Sequence, residues 1–356
     1  MSIKNSKLNF LDTVEKPSNS QIRKAGKIFR NKDSSEADLK VASEILGKWR
    51  VLHIHPMRTF QTTMNRRLQQ LKIKDAIVAR RLKRAPTIID KLFREPTMAL
   101  EKMQDIGGIR AIVKDIDQVR KLEKLYLEGK FDHILDYQAD YISTPKASGY
   151  RGIHLIYKTK YSIDSTKQYS GFLVEMQIRT RLQHIWATAV ETAGTFLGQE
   201  LKSGKGDENW KNFFALTGSA FALIENSSVA QIHNHLSKDE LFELVRLEYQ
   251  KLKISETLKA FSRSTETIIQ NAKASSYCVI TLNTSEKKLS IANFSRDGQD
   301  DANRLLTELE KRAANGEPIQ SVFVAVNDVK KLKKAYPNYF LETSAFLAVI
   351  ERNIIK

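Results

Sequence analysis

The sequence predicts an α/β (α+β) protein: one main domain followed by a small C-terminal ββαβα unit. Three observations carry this. The segments IRAIV (109–113), GIHLIYKTK (152–160) and GFLVEMQIRT (171–180) read as strands, with the helical QVRKLEKLYLEG between the first two. Helices that join strands mark an α/β domain. After about residue 272, SSYCVITLN and KLSIANFS read as paired strands, DANRLLTELEKRAAN as a helix, SVFVAV as a strand and DVKKLKKAY as a helix. The predicted division is therefore 1–271 and 272–356.

Along the chain, residues 1–35 are polar and poorly periodic and read as a partly mobile tail. In EADLKVASEILGKWRVLHIHP, Leu39, Ala42, Ile45 and Leu46 share one helical face, and Pro56 is expected to end that helix. RTFQTTMNRRLQQLKIK is a second helix, and a basic run follows at 78–94. In GFLVEMQIRT a period of two puts Phe172, Val174, Met176 and Ile178 on one side, and Leu173, Glu175, Gln177 and Arg179 on the other. Helical spacing resumes over 180–270, from RTRLQHIWATAVETAG to SETLKAFSRSTETIIQNAK.

The 356 residues carry a net charge of +17, and most of it is at one end. Residues 1–100 hold 22 Lys/Arg against 9 Asp/Glu, a local excess of +13. Such asymmetry suits a polyanionic partner, a nucleotide, RNA or acidic surface, and equally a plain basic surface. One cysteine, Cys278, excludes an internal disulfide framework and a cysteine-rich zinc site. The first residues lack the apolar core of a signal peptide, and FFALTGSAFALI is too short and interrupted to span a bilayer. These features predict a soluble, cytoplasmic protein with no membrane attachment.

Four segments carry candidate chemistry. The polar face of GFLVEMQIRT lines up a carboxylate, an amide and a guanidinium, although a merely solvated strand face has the same pattern. MQDIGGIRAIV adds Asp105 before a glycine pair and Arg110 after it; alone, this is an ordinary turn before a strand. RRLKRAPTIIDKLFR gathers Arg80, Arg81, Lys83, Arg84, Lys91 and Arg94 around one acid, Asp90, with Pro86 suited to a first helical turn. Such a cluster can grip a triphosphate, or be a solvated basic helix. The hairpin STPKASGYRGIH offers Lys146 and Arg151 for phosphates, Tyr150 as a platform for a nucleobase, and His154 beside them. Asp105 and Glu175 could share a Mg²⁺ and leave one carboxylate to accept a proton from an attacking hydroxyl. Cations, an acid pair and an aromatic platform are the equipment of phosphoryl-type transfer.

Read together, these segments resemble the synthetase domain of the RelA/SpoT family, the alarmone synthetases. The family's donor pattern R-x-K-x-x-x-[ST]-I-x-x-K-x-x-R is present as Arg81, Lys83, Thr87, Ile88, Lys91 and Arg94. DIGGIR matches its D-[IL]-x-[GA]-[IL]-R block, which implies Asp105 as a Mg²⁺ ligand and Arg110 as a phosphate contact. PKASGYRGIH matches its acceptor hairpin, and EMQIRT its E-x-Q-[IL]-R-T strand, with Glu175 as metal ligand or base. The blocks fall in the family's order over about residues 75–195.

The resemblance implies a mixed sheet of about five strands flanked by helices, and an enzyme that moves pyrophosphate from ATP to a ribose 3′-hydroxyl with Mg²⁺. ATP would lie against Arg81, Lys83, Thr87, Lys91, Arg94 and Arg110. The acceptor would meet Lys146, Ser148, Tyr150, Arg151, His154, Gln177 and Arg179. Ser148 stands where the family usually has asparagine, and no His-Asp dipeptide occurs, so the family's hydrolase domain is expected to be absent. The C-terminal unit resembles the antitoxin-like domain of CapRel-type fused toxin–antitoxin proteins. That likeness implies a toxic synthetase acting on the 3′-CCA end of tRNA, restrained by Tyr336 and Tyr339 of AYPNYF, and released in antiviral defence by a phage structural protein. Two alternatives stay open: a synthetase using free guanine or adenine nucleotides, and a non-catalytic RNA-binding regulator.

Overall fold

A computed structural model of the chain describes residues 14–196, 208–252, 254, 255, 258, 277–283, 286, 288–295, 297–325 and 344–356. Three helices lead: α1 (Asn19–Arg30), α2 (Glu36–Leu52) and α3 (Ile54–Gln70). The main sheet is built from β1 (Ile77–Leu82), β2 (Gly107–Val113), β3 (Ile134–Asp140), β4 (Ile153–Lys158) and β5 (Leu173–Thr180). Helix α4 (Ala85–Arg94) lies between β1 and β2, and α5 (Ile116–Leu127) between β2 and β3. The strand order is β1-β2-β5-β4-β3, with β2 and β5 parallel and the other pairs antiparallel. This is the predicted mixed α/β sheet flanked by helices.

The two faces of the sheet differ as the alternation of β5 requires. Phe172, Val174, Met176 and Ile178 are fully buried in one core with Ile22 and Phe29 of α1, Leu46 and Trp49 of α2, and Phe60 of α3. The opposite face carries the polar side chains. Residues 19–30, read from sequence as part of a polar tail, form a capped helix. Ser18 and Gln21 close a capping box, and Ile22, Ala25, Gly26 and Phe29 are buried at helical spacing. Pro56 does not end the preceding helix, which stops at Leu52. It sits in the first turn of α3, where a missing N–H costs nothing.

A second core joins α6 (Arg181–Phe196), α7 (Glu208–Ile224), α8 (Lys238–Lys251) and a C-terminal helix, α10 (Ser344–Ile350). Phe346, Leu347, Ile350 and Ile354 pack there among Phe213, Phe221 and Val245. The sequence division at 272 places residues 344–356 with the small C-terminal unit; their packing partners are the helices of the main domain. The small unit itself is a three-stranded antiparallel sheet, in the order β7-β6-β8, of β6 (Tyr277–Asn283), β7 (Lys288–Phe294) and β8 (Ile319–Ala325). Helix α9 (Gln299–Ala314) packs on it through Ala302, Leu306 and Leu309. Edge strand β8 lies against β1, the edge of the main sheet. The DVKKLKKAY helix, with Tyr336 and Tyr339, lies outside the described residues. Among the described residues no helix is long and apolar enough to cross a membrane.

Candidate active site

Register alone assembles the polar face. Gly108 of β2 is paired with Arg81 of β1 on one side and with Glu175 of β5 on the other. One step along, Arg110 is level with Gln177, and Gln177 with His154 of β4. A Cβ on Gly108 would lie 3.9 Å from Glu175 Oε2, so the glycine keeps the floor beside that carboxylate flat. Asp105 enters from the loop before β2. It accepts hydrogen bonds from Lys83 Nζ at 2.8 Å and Lys91 Nζ at 3.2 Å. Burial pushes the Asp105 carboxyl up, but the charges of Lys83 and Lys91 outweigh it and hold the group below its ordinary range. Asp105 precedes β2 by two residues and Gly108 of that strand is paired with Glu175, so two acids 70 positions apart in sequence both sit at the β2–β5 pair.

Glu175 belongs to a closed ring of hydrogen bonds. His154 Nδ1 lies 2.8 Å from Glu175 Oε1, and Gln177 Nε2 donates to Oε2 at 2.8 Å. Arg179 Nη2 donates to Gln177 Oε1 and to the Tyr150 hydroxyl, both at 2.7 Å. The Tyr150 hydroxyl meets His154 Nε2 at 2.5 Å. One assignment makes each of these contacts a donor–acceptor pair: the Tyr150 hydroxyl donates to Nε2, His154 carries its proton on Nδ1, and Glu175 is ionised. Burial raises the Glu175 carboxyl, yet the hydrogen bond from His154, with help from Gln177, leaves it below its ordinary value. Burial also raises Tyr150, which stays a neutral donor.

The hairpin is seated by backbone shape. Gly149 has φ +86°, and a Cβ there would lie 2.9 Å from the Phe214 carbonyl oxygen of α7; only glycine fits this left-handed approach. Tyr141, which sequence reasoning did not single out, completes an aromatic corner. Its ring stands edge-on to Tyr150 and His154, with Lys146 Nζ 4.4 Å above it. Its only signal is a place in the same loop.

Not every predicted residue joins this group. Arg151 turns away into the helical layer and pairs with Glu225 Oε2 at 2.6 Å, and also donates to Ser227. Arg94 is exposed and paired with Asp90 at the far end of α4, while Thr87 lies in the first turn of that helix. Ser148 is exposed at the hairpin tip. A cleft of about 590 Å³ that none of these site residues lines has Lys16, Arg23, Lys102 and Lys158 together with Glu101 and Asp136 along its walls.

Among the described residues no group of three His, Cys, Asp or Glu side chains could hold a metal unaided. Two carboxylates suffice for Mg²⁺ when phosphate oxygens and waters complete its shell. Each oxygen of Asp105 and Glu175 accepts one hydrogen bond and keeps a lone pair, so these carboxylates have the donor atoms that a Mg²⁺ arriving with a nucleotide would need.

Residues 80–195 match the model of a region found in RelA / SpoT proteins. Over 113 residues the chain is 34% identical to the GTP pyrophosphokinase YjbM of Bacillus subtilis (strain 168), a match spanning 31% of this chain and 52% of the relative. Another, YwaC of the same organism, is 30% identical over 113 residues, covering 30% and 52%. The chain thus spans about half the length of the curated relatives it matches. Among solved structures, small alarmone synthetase 1 from Bacillus subtilis bound to its product pppGpp aligns at 25% identity with a TM-score of 0.44, over 50% of this chain and 92% of that one. Lys83, Lys91, Asp105, Tyr150, His154 and Glu175 all fall within the residues 80–195 that match the region found in RelA / SpoT proteins.

Proposed function

We propose that the protein is a pyrophosphokinase that moves the β,γ-diphosphate of ATP to a ribose 3′-hydroxyl. What supports the reading is that Asp105, held by Lys83 and Lys91 of the donor segment, lies two residues before β2, and that Glu175 is paired with Gly108 of that strand. The ribose oxygen attacks Pβ, the Pα–O–Pβ bridge breaks, AMP leaves with the bonding pair, and the hydroxyl proton passes to Glu175. Each Glu175 oxygen already accepts one hydrogen bond and keeps a lone pair for that proton. Lys83 and Lys91 lie where developing phosphate charge needs neutralising, which is most of what such a transfer asks of a protein. Mg²⁺, held by Asp105 and Glu175 together with the nucleotide, would supply further charge neutralisation.

The acceptor we favour is the 3′-CCA end of tRNA. The excess of cations in residues 1–100 supports a polyanionic acceptor. A second reading, a free guanine nucleotide, is favoured by the relatives, which are called GTP pyrophosphokinases. Restraint by the C-terminal unit, through the Tyr336 and Tyr339 plug implied by resemblance and relief by a phage structural protein, belongs to the same proposal. The test is incubation of the full chain and its Tyr336→Ala variant with γ-labelled ATP, total tRNA and the four nucleotides. Label on tRNA supports the favoured acceptor; label only on free nucleotides rejects it for the second reading; label on neither rejects the transferase.

A further inference from the structure

Helix α4 starts without a cap of its own. Its N-cap residue is Arg84, which makes no side-chain cap, and its first turn holds no acid. The missing anion comes from 225 positions away: Glu310 Oε1, on α9 of the C-terminal unit, takes the Ala85 N–H at a long 3.4 Å. The same carboxylate is gripped in a bidentate pair by Arg50, at 2.7 and 3.0 Å. Arg50 is fixed in turn by an Nε–H bond of 2.9 Å to the Lys83 carbonyl. Both partners are nearly out of water, with 7% and 10% of their side chains exposed. Arg58 reaches Gln299 at the opposite end of α9.

We propose that Arg50 and the N-terminus of α4 form a phosphate seat that Glu310 occupies as an internal competitor. Two facts favour a seat over a plain tertiary bridge. The contact falls on residues 83–85, inside the segment whose Lys83 and Lys91 hold Asp105, so the occupant stands next to the site itself. A guanidinium fork aimed at an uncapped helix start is also complete only with an oxyanion in it, and a phosphate fits that fork as a carboxylate does. A buried arginine left without its acid is strongly disfavoured. Departure of α9 therefore demands a replacement anion, and a nucleotide phosphate is the one at hand. Binding of the nucleotide and undocking of the C-terminal unit then become one coupled equilibrium.

This inference rests on the pyrophosphokinase reading, and the test separates the two. Binding of adenosine 5′-(α,β-methylene)triphosphate, whose bridge resists transfer, is measured on the full chain by calorimetry. Glu310→Gln is expected to tighten binding about tenfold or more, the size of a typical coupling, and Arg50→Gln added to it is expected to abolish the gain. Glu310→Ala repeats the measurement should the glutamine variant fold poorly. Equal binding by the folded wild type and Glu310 variants overturns the seat and leaves the enzyme reading intact. A gain that survives Arg50→Gln overturns Arg50's part in the seat. Absence of binding in every chain overturns both.

Discussion

His154 and Glu175 are joined by a 2.8 Å contact between Nδ1 and Oε1. The other ring nitrogen is taken by Tyr150, so the role we propose for this imidazole is to hold the carboxylate in place. Its consequence is a pH dependence.

Glu175 is held low against its burial chiefly by His154. A base with a lowered value stays ionised through neutrality, and transfer fails only as pH falls through that value. In His154→Ala the opposing contribution is gone, so the acidic limb of the pH–rate profile moves to higher pH. The rate at neutrality falls roughly 10–100-fold, as for other residues that orient a ligand-holding side chain. A limb that does not move would show that the ring merely packs.

His53 gives a stability prediction. It is wholly buried between Trp49 and Phe172, and burial lowers it from 6.5 to about 3. Between those values the unfolded chain binds a proton that the native chain refuses, so stability rises with pH in that window and is lost as pH falls. The expected slope is about 1.4 kcal/mol per pH unit, read from urea unfolding between pH 6.5 and 5. His53→Gln should flatten that part of the curve. An unchanged slope in the variant would assign the dependence elsewhere.

Arg151 belongs to stability. Its pair with Glu225 is buried, with side chains 2% and 11% exposed. Glu225→Gln should cost about 3–5 kcal/mol by stranding the guanidinium, and Arg151→Met with Glu225→Leu should regain much of it. Unfolding midpoints of the two variants decide this. A harmless Glu225→Gln would mean that Arg151 is satisfied in some other way.

Gly149 tests the seating of the hairpin. Alanine there is strained at φ +86° and overlaps the Phe214 and Ala215 carbonyls and Gly218. Overpacking and the left-handed backbone together cost about 2–5 kcal/mol. Transfer activity should fall with stability, because Tyr150 moves with the loop. Activity kept at full level in a folded Gly149→Ala chain would separate the hairpin from the site.

The strand β5 was fully legible because its alternation is strict and one face is all core. The other two strands predicted in the main domain, β2 and β4, were found for the same reason, and in the structure Lys83 and Lys91 of one motif block meet Asp105 of another. Strand β1 was hidden because Arg80 and Arg81 interrupt its apolar residues. Strand β3 was hidden because it is an edge strand, exposed from Ile134 to Gln138, with its register set by β4 and a bulge near Leu135. Helix α1 had a readable stripe, Ile22, Ala25, Gly26 and Phe29, masked by polar neighbours. The partners of Arg151 and Arg50 lie 74 and 260 positions away, and no local pattern points to a contact that only the tertiary fold creates.

The most direct test of the shared Asp105–Glu175 site is the nucleotide left behind when the full chain, with and without Glu310→Gln, consumes γ-labelled ATP in the presence of tRNA. Diphosphate transfer predicts AMP in equal amount to labelled acceptor, and loss of both in Asp105→Asn and in Glu175→Gln. ADP as the product, or label transfer undiminished in those two variants, would contradict it.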